Sequence, residues 1–100
     1  MTTHILLTKL SPGAMSDLKH RENMGREWFE TVKEKCPEVN WIAHYALMGP
    51  YDFMDIFEAP NVETAAKVSA ITTSKGAVKA ETWNALPYKQ FLEITKELAE

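Results

Sequence analysis

Residues 39–59 read VNWIAHYALMGPYDFMDIFEA. In this stretch, two runs rich in β-branched and aromatic side chains flank the dipeptide Gly49-Pro50. A two-residue loop with glycine first and a residue of negative φ second is typical of a type II′ turn, in which the glycine takes a positive φ. The stretch therefore predicts a β-hairpin in which His44 lies directly opposite Asp55, with Trp41 on the other face of the sheet.

The segments before the hairpin predict a strand and one long helix. Residues 3–10 are apolar and β-rich, and Ser11-Pro12 suits a helix N-cap followed by a first-turn proline. Residues 14–36 carry apolar side chains at steps of three and four, which is typical of a helix. We expect this helix to end at Pro37, because proline cannot continue it.

The segments after the hairpin predict a helix, a strand and a terminal helix. Asn61 is a preferred N-cap residue, and Gly76 is typical of the position that follows a helix. Residues 77–85 are typical of a strand, and residues 87–98 carry apolar side chains at helical spacing. With the first half of the chain, this gives the order β-α-β-β-α-β-α.

This order predicts an α+β fold of the ferredoxin-like βαββαβ(α) type, as one domain over residues 1–100. Its four-stranded antiparallel sheet carries the two main helices on one face and leaves the other face bare. The first strand nevertheless has Ile5 and Leu7 on one side and Leu6 and Leu10 on the other. Because a face left in solvent would be polar, we expect a second copy of the chain to cover it, as a homodimer that forms an α+β barrel.

Composition narrows the classes of partner and site. The 11 Lys+Arg and 14 Asp+Glu residues give a net charge of −3 and alternate along the chain, so we expect no nucleic-acid partner. No apolar stretch approaches the ~18 residues of a membrane span, so no membrane partner is expected. The single cysteine excludes an intramolecular disulfide, and neither His4 nor His20 has a second ligand at metal-binding spacing. We therefore expect a cytoplasmic protein with no metal and no other cofactor.

His44 and Asp55 are the most suggestive candidate catalytic residues in the sequence. In the expected register, the two side chains face each other within an otherwise apolar face. A carboxylate beside an imidazole fixes its tautomer and raises its pKa, which makes His44 a candidate catalytic base or acid with Asp55 as its partner. The alternative is a polar cross-strand pair whose members satisfy each other.

Arg21 and Trp28 are candidate ligand-binding residues on the first helix, where both fall on the stripe that faces the sheet. A half-buried arginine favours a carboxylate, so one interpretation is a salt bridge to Asp17, Asp52 or Asp55. The other is a guanidinium that lines a pocket and holds an anionic ligand. Trp28 is either a core anchor or part of the same pocket.

The stretch Gly49-Pro50-Tyr51-Asp52 resembles the signature of the GYD-domain family of small bacterial and archaeal proteins. The resemblance covers residues 3–92. The other residues that carry it are Ser11-Pro12-Gly13, Arg21, Tyr45, Leu47, Glu58-Ala59-Pro60, Ala65-Ala66, Gly76, Val78, Thr82 and Ala85. One position departs from the pattern, because Asn84 stands where the family often has a basic residue.

The resemblance implies the fold and assembly of the dimeric α+β barrels, and it leaves activity open. Members of that superfamily include cofactor-free monooxygenases, muconolactone isomerase-like proteins, haem-binding dismutases and ligand-sensing domains. Within the signature, Tyr51 and Asp52 either brace the hairpin or stand at the mouth of a ligand pocket.

Two functions follow as hypotheses. The first is a homo-oligomeric barrel that binds a small aromatic or anionic ligand without a cofactor. Its binding residues would be Arg21, Trp28, Tyr45, Tyr51 and Asp52. The second is a cofactor-free monooxygenase or isomerase of a small aromatic substrate, with His44 and Asp55 as the proton-transfer pair. Its pocket would be lined by Trp28, Phe53, Phe57 and Met48.

Overall fold

The chain has eight elements of secondary structure in a computed structural model that describes residues 1–99. In chain order they are β1 (Thr2–Leu10), α1 (Pro12–Ser16), α2 (Arg21–Lys35), β2 (Asn40–Ala46), β3 (Phe53–Ala59), α3 (Val62–Ser74), β4 (Ala77–Ala85) and α4 (Tyr88–Leu98). Within residues 1–99, no helix combines the length and the apolar character that crossing a membrane requires.

The four strands form one antiparallel sheet in the order β2-β3-β1-β4. One face of this sheet packs against α2 and α3 through Leu6 and Phe57, which are fully buried together with Val32 and Val68. Each side chain of this kind contributes about 1.5–3 kcal/mol when it leaves water. The predicted ferredoxin-like α+β architecture is confirmed.

The register of the hairpin is as predicted at its centre and shifted by one residue at its far end. His44 pairs with Asp55, and Ala43 pairs with Ile56, as expected. A β-bulge between Trp41 and Ala43 then places Trp41 opposite Phe57, with the two rings 5.2 Å apart. The predicted face of Trp41 was therefore wrong, because an extra residue in one strand moves every side chain beyond it to the other face.

The turn of the hairpin also differs from the prediction. Gly76 is the only glycine among residues 1–99 with a positive φ, so Gly49 does not take the conformation that a type II′ turn needs. β2 ends earlier than expected, at Ala46, and β3 begins later, at Phe53. Between them, the backbone N–H of Leu47 donates to the carbonyl of Asp52 at 2.8 Å. The connection is therefore longer than two residues.

The helix predicted over residues 14–36 is interrupted, and this prediction was wrong around Asp17. Asp17 leaves the helical region with φ −87° and ψ 72°, and its carboxylate contacts Nδ1 of His20 at 2.9 Å. Leu18 is 74% exposed, so no apolar contact of that side chain holds this segment in a continuous helix. The helix is therefore interrupted over residues 17–20, and α2 begins at Arg21.

The predicted ends of α3 are confirmed. The side chain of Asn61 accepts a hydrogen bond from the backbone N–H of Thr64 at 2.8 Å, as an N-cap does. Gly76 follows the C-cap Lys75 with a φ of +103°, a conformation that favours glycine. These two residues fix the length of α3 and hence the position of Lys75.

The outer face of the sheet, opposite α2 and α3, is apolar at its centre and partly exposed. Its large apolar side chains are Ile5, Leu7, Tyr45, Met54, Ile56 and Trp83, and the charged residues Lys9, Glu58, Lys79 and Glu81 lie on the same face. Of these, Tyr45 is 55% exposed and Trp83 is 52% exposed. The prediction that both faces of the sheet carry apolar side chains is confirmed.

Asp52 joins the ends of three strands. Its carboxylate accepts a hydrogen bond from the backbone N–H of Leu10 at 2.7 Å, and its own N–H donates to the carbonyl of Thr8 at 2.8 Å. Its carbonyl accepts from Leu47, as described above. Asp52 therefore links the end of β1 to the hairpin.

The variant Asp52→Ala is expected to lower the free energy of unfolding by about 1–3 kcal/mol, because the amide of Leu10 loses its acceptor in a half-buried setting. Asp52→Asn keeps an acceptor oxygen, so its free energy of unfolding should fall by less than that of Asp52→Ala. Urea denaturation measures both variants, with Glu30→Ala, at an exposed helix position, as the control. Equal stability of Asp52→Ala and Glu30→Ala would contradict this role.

Candidate functional site

A cleft of about 740 Å³ opens between the first half of α2 and the adjoining ends of the sheet. Its walls are mainly aromatic, and a few charged and polar groups converge on it. The aromatic side chains are Trp28, Phe29, Trp41 and Phe53, and the polar ones are Thr8, Arg21, Glu22, Arg26, His44, Asp55, Thr72 and Lys75. The volume lies within the usual range for small-molecule sites.

Large aromatic side chains hold this cleft open. The ring of Trp41 meets Trp28 edge to face at 5.5 Å and Phe29 at 5.8 Å, so bulky groups separate α2 from the sheet. Trp28 is fixed in turn, because its indole Nε1–H donates to the hydroxyl of Thr72 at 2.9 Å. That hydroxyl donates to the carbonyl of Val68 at 2.7 Å. The cleft wall is therefore tied to α3.

His44 and Asp55 meet on one wall of the cleft. Nδ1 of His44 is hydrogen-bonded to Oδ1 of Asp55, whose side chain is almost fully buried, while the side chain of His44 is 60% exposed. The imidazole stacks on Phe53 at 5.7 Å and on Trp28 at 6.2 Å. Its orientation is therefore fixed, and within residues 1–99 its Nε2 has no protein partner.

Burial and the neighbouring His44 have opposite effects on the pKa of the Asp55 carboxyl. Burial raises the pKa of Asp55, and the charge and hydrogen bond of His44 oppose that rise. The imidazole is therefore what stabilises an ionised carboxylate in this position. The arrangement can hold His44 in one tautomer and leave Nε2 to exchange a proton or a hydrogen bond with a bound molecule.

Arg21 lies at the start of α2, on another wall of the cleft, and is half-buried. Its Nε is buried without a hydrogen-bond partner, and its Nη2 contacts the sulfur of Met15 at 2.7 Å. The salt bridges expected as one alternative, to Asp17, Asp52 or Asp55, are not formed. The guanidinium therefore faces the cleft without a counter-ion.

The other cations of the cleft differ in their partners. Arg26 forms an ion pair with Glu22 at 3.3 Å. Lys75, at the end of α3, forms no ion pair within residues 1–99. The two carboxylates of the cleft, Glu22 and Asp55, contact Arg26 and His44, so the charges of Arg21 and Lys75 are not paired with a carboxylate among the described residues.

The chain matches the family model of the GYD domain over residues 4–95. It belongs to the GYD-domain family. A curated relative is the "glutamine synthetase and cystathionine beta-lyase binding protein" of Thermus thermophilus, 35% identical over 97 residues, which are 96% of this chain and all of that protein.

Solved structures are similar to this GYD domain in fold. The crystal structure of MtbAldR has a TM-score of 0.62 at 15% identity over 86% of this chain, which spans only 52% of the MtbAldR chain. The protein TTHA0845 of Thermus thermophilus has a TM-score of 0.55 at 22% identity, covering 87% of this chain and 95% of its own. At these identities the likeness shows the fold alone.

The signature residues of the GYD domain lie outside the cleft. Asp52 makes the strand contacts described above, and Tyr51 lies beneath the ammonium group of Lys79, 5.9 Å from its ring centre. Tyr45, which the family resemblance also suggested, lies on the outer face. Of the predicted site residues, the structure thus brings Arg21, Trp28, His44 and Asp55 together, and it does not bring the other three into the cleft.

Two predicted pocket residues have other positions, and several cleft residues were missed. Phe57 is fully buried in the core and Met48 is fully exposed, so neither lines the cleft. Trp41 was missed because the bulge changes its face. A usable signal existed for Thr72, a polar residue at helical spacing from the apolar Ala65 and Val68.

The variant Asp55→Asn is expected to change how stability depends on pH. Because burial raises the pKa of Asp55 above its ordinary value of 3.8, the carboxyl contributes its full stability below that value and loses it as the pH rises through the folded pKa. The difference in unfolding free energy between wild type and Asp55→Asn should therefore decline as the pH rises from about 4.

Urea unfolding from about pH 4 to 8 measures this difference. Glu30→Gln, which alters an exposed helix residue, is the control and should give a nearly constant difference. A constant difference for Asp55→Asn as well would show that burial does not govern this carboxyl.

Proposed function

We propose that this chain binds a small aromatic anion in the cleft, without a cofactor. The observation that carries the proposal is the guanidinium of Arg21, which lies half-buried and without a counter-ion in an aromatic-walled cavity of about 740 Å³. Removing an arginine from water is costly unless a partner compensates it. An anionic group on the ligand is that partner.

The other residues of the cleft favour a ligand with an aromatic body and a second polar group. Faces of Trp28 and Trp41 favour a flat aromatic body, which packs on them by stacking or edge contacts. Nε2 of His44 offers a hydrogen bond to a polar substituent at a second point. A few convergent polar groups in an apolar cavity fix the orientation of a small molecule.

The proposal includes self-association and a cytoplasmic location. A second copy would cover the outer face, where Tyr45 and Trp83 are more than half exposed. A single cysteine suits a reducing compartment. The Thermus relative is named for binding two enzymes, and this supports a further role of the present chain in binding another protein.

Matched acids and amides test the ligand class. Isothermal titration calorimetry with phenylacetate and indole-3-acetate should show binding, and the neutral amides of both should bind at least tenfold more weakly. Arg21→Gln should weaken binding of the acids by at least tenfold, because the charge that holds the carboxylate is lost.

Lys35→Gln, which removes one positive charge from the exposed end of α2, is the matched control and should bind as the wild type does. Equal affinity for acids and amides, or unchanged binding of the acids by Arg21→Gln, would refute an anion site at this residue.

The pair of His44 and Asp55 favours a second candidate function, a cofactor-free monooxygenase or isomerase of a small aromatic substrate. Nε2 of His44 would remove a proton from a phenolic or enolic group, and Asp55 would stabilise the resulting imidazolium. The buried carboxylate behind an imidazole in an aromatic cleft is the specific observation in its favour.

Oxygen consumption with a panel of quinols between about pH 5 and 9 separates ligand binding from the monooxygenase. The binding proposal predicts background rates for the wild type, His44→Ala and Asp55→Asn alike. A wild-type rate above background that falls by at least 100-fold in His44→Ala would instead establish the enzyme, since general acid–base catalysis contributes about 10²–10⁴-fold.

A further inference from the structure

A second cavity, of about 450 Å³, lies between α3 and the strands β1 and β4. It shares no lining residue with the aromatic cleft. Alanines and one valine of α3 form its apolar wall, and its polar side chains are His4, Ser69, Thr73, Thr82 and Asn84. Among the described residues, no aspartate, glutamate, lysine or arginine lines it. The cavity therefore favours a neutral ligand, because a charged one would lack a counter-ion there.

His4 lines this cavity and is held in place by its neighbours. The residue is only 2% exposed, and its ring stacks on Phe57 with 5.4 Å between the ring centres. Its Nε2 lies 2.8 Å from the hydroxyl oxygen of Thr2, and that hydroxyl donates to the carbonyl of Ala59 at 3.3 Å. Because a hydroxyl has one proton, the oxygen of Thr2 accepts from His4. The neutral ring therefore carries its proton on Nε2.

Nδ1 of His4 is left as an unpaired acceptor. Burial lowers the pKa of His4, so the ring is neutral at pH 7 and Nδ1 carries a lone pair. Among residues 1–99, this nitrogen has no hydrogen-bond partner. Since buried polar atoms in proteins are normally paired, the free lone pair indicates a donor from outside the chain.

Two polar residues of β4 lie beside His4 on the same face of the sheet. Asn84 is its direct cross-strand partner, an arrangement in which the Cβ atoms are about 4.5–5.5 Å apart. Thr82 is its diagonal neighbour, and the hydroxyl of Thr82 is buried with no hydrogen-bond partner in the described part of the chain. The carboxamide of Asn84 can donate through Nδ2. The cavity thus offers an acceptor and a donor side by side.

We propose that this cavity binds a small neutral molecule through a primary carboxamide. An N–H of the ligand donates to Nδ1 of His4, and the carbonyl of the ligand accepts from Nδ2 of Asn84. A carboxylate has no proton for Nδ1, and an amine is charged at pH 7, so neither matches this pair. The apolar wall of α3 contacts the alkyl part of the ligand. The inference is independent of the anion proposed for the cleft, and either can fail without the other.

Isobutyramide and isobutyrate, which have the same shape, test the ligand class. In ¹⁵N-labelled protein, long-range ¹H–¹⁵N spectra report both ring nitrogens of each of the 3 histidines, and His4→Phe identifies the signals of His4. We expect the proton on Nε2 in the free protein and a saturable shift of the Nδ1 signal with isobutyramide. Isobutyrate should bind at least tenfold more weakly by the same signal, because its carboxylate repels the lone pair.

Asn84→Asp tests the second hydrogen bond. It replaces the donating amide with a carboxylate of the same shape, and it should raise the dissociation constant of isobutyramide at least tenfold. Asn23→Asp, which makes the same change in α2, is the matched control and should leave that constant unchanged. Both positions are exposed, so both variants should fold as the wild type does.

The inference has several ways to fail. A proton on Nδ1 of His4 in the free protein would remove the acceptor on which it depends. An Nδ1 signal that isobutyramide does not shift would show that water alone occupies the cavity. Equal binding of the amide and the acid by the wild type, or of the amide by wild type and Asn84→Asp, would show that this pair does not recognise a carboxamide.

Discussion

Contact between Trp28 and Trp41 sets the spacing between α2 and the sheet, and the cleft depends on that spacing. Leu6, Val32, Phe57 and Val68 form the buried core between the helices and the sheet, and Trp28 and Trp41 pack against its edge. Toward the start of α2, the edge-to-face packing of the two indoles replaces these smaller side chains. The same domain therefore has a dense core at one end and a cavity at the other.

The cavity also explains why charged groups are tolerated inside this small domain. Asp55 lies on the helix-facing side of the sheet, where burial disfavours its ionised form, and His44 compensates it from the cleft wall. Arg21 has no such compensation within residues 1–99. The two charged groups differ in this respect. Asp55 has its partner within the protein, whereas Arg21 leaves a position for an anion from outside.

Much of this arrangement was predictable because it depends on local rules. Strand alternation placed His44 opposite Asp55, helix periodicity placed Arg21 and Trp28 on one stripe, and Gly76 ended α3. The bulge beside Trp41 was not predictable from alternation, because one extra residue leaves no mark in an apolar strand. The break at Asp17 coincides with a side-chain contact to His20, and nothing in the helical pattern of the sequence marks it.

The most direct test of the account is the NMR signal of the Nε–H of Arg21 in ¹⁵N-labelled protein during titration with phenylacetate. This group is buried and unpartnered in the free protein, and a carboxylate bound by the guanidinium would change its environment. We predict a saturable shift of this signal together with that of the Trp28 indole, and no shift with phenylacetamide. Saturable binding of phenylacetate that leaves the Arg21 signal unmoved would contradict the central claim that the cleft recognises an anion.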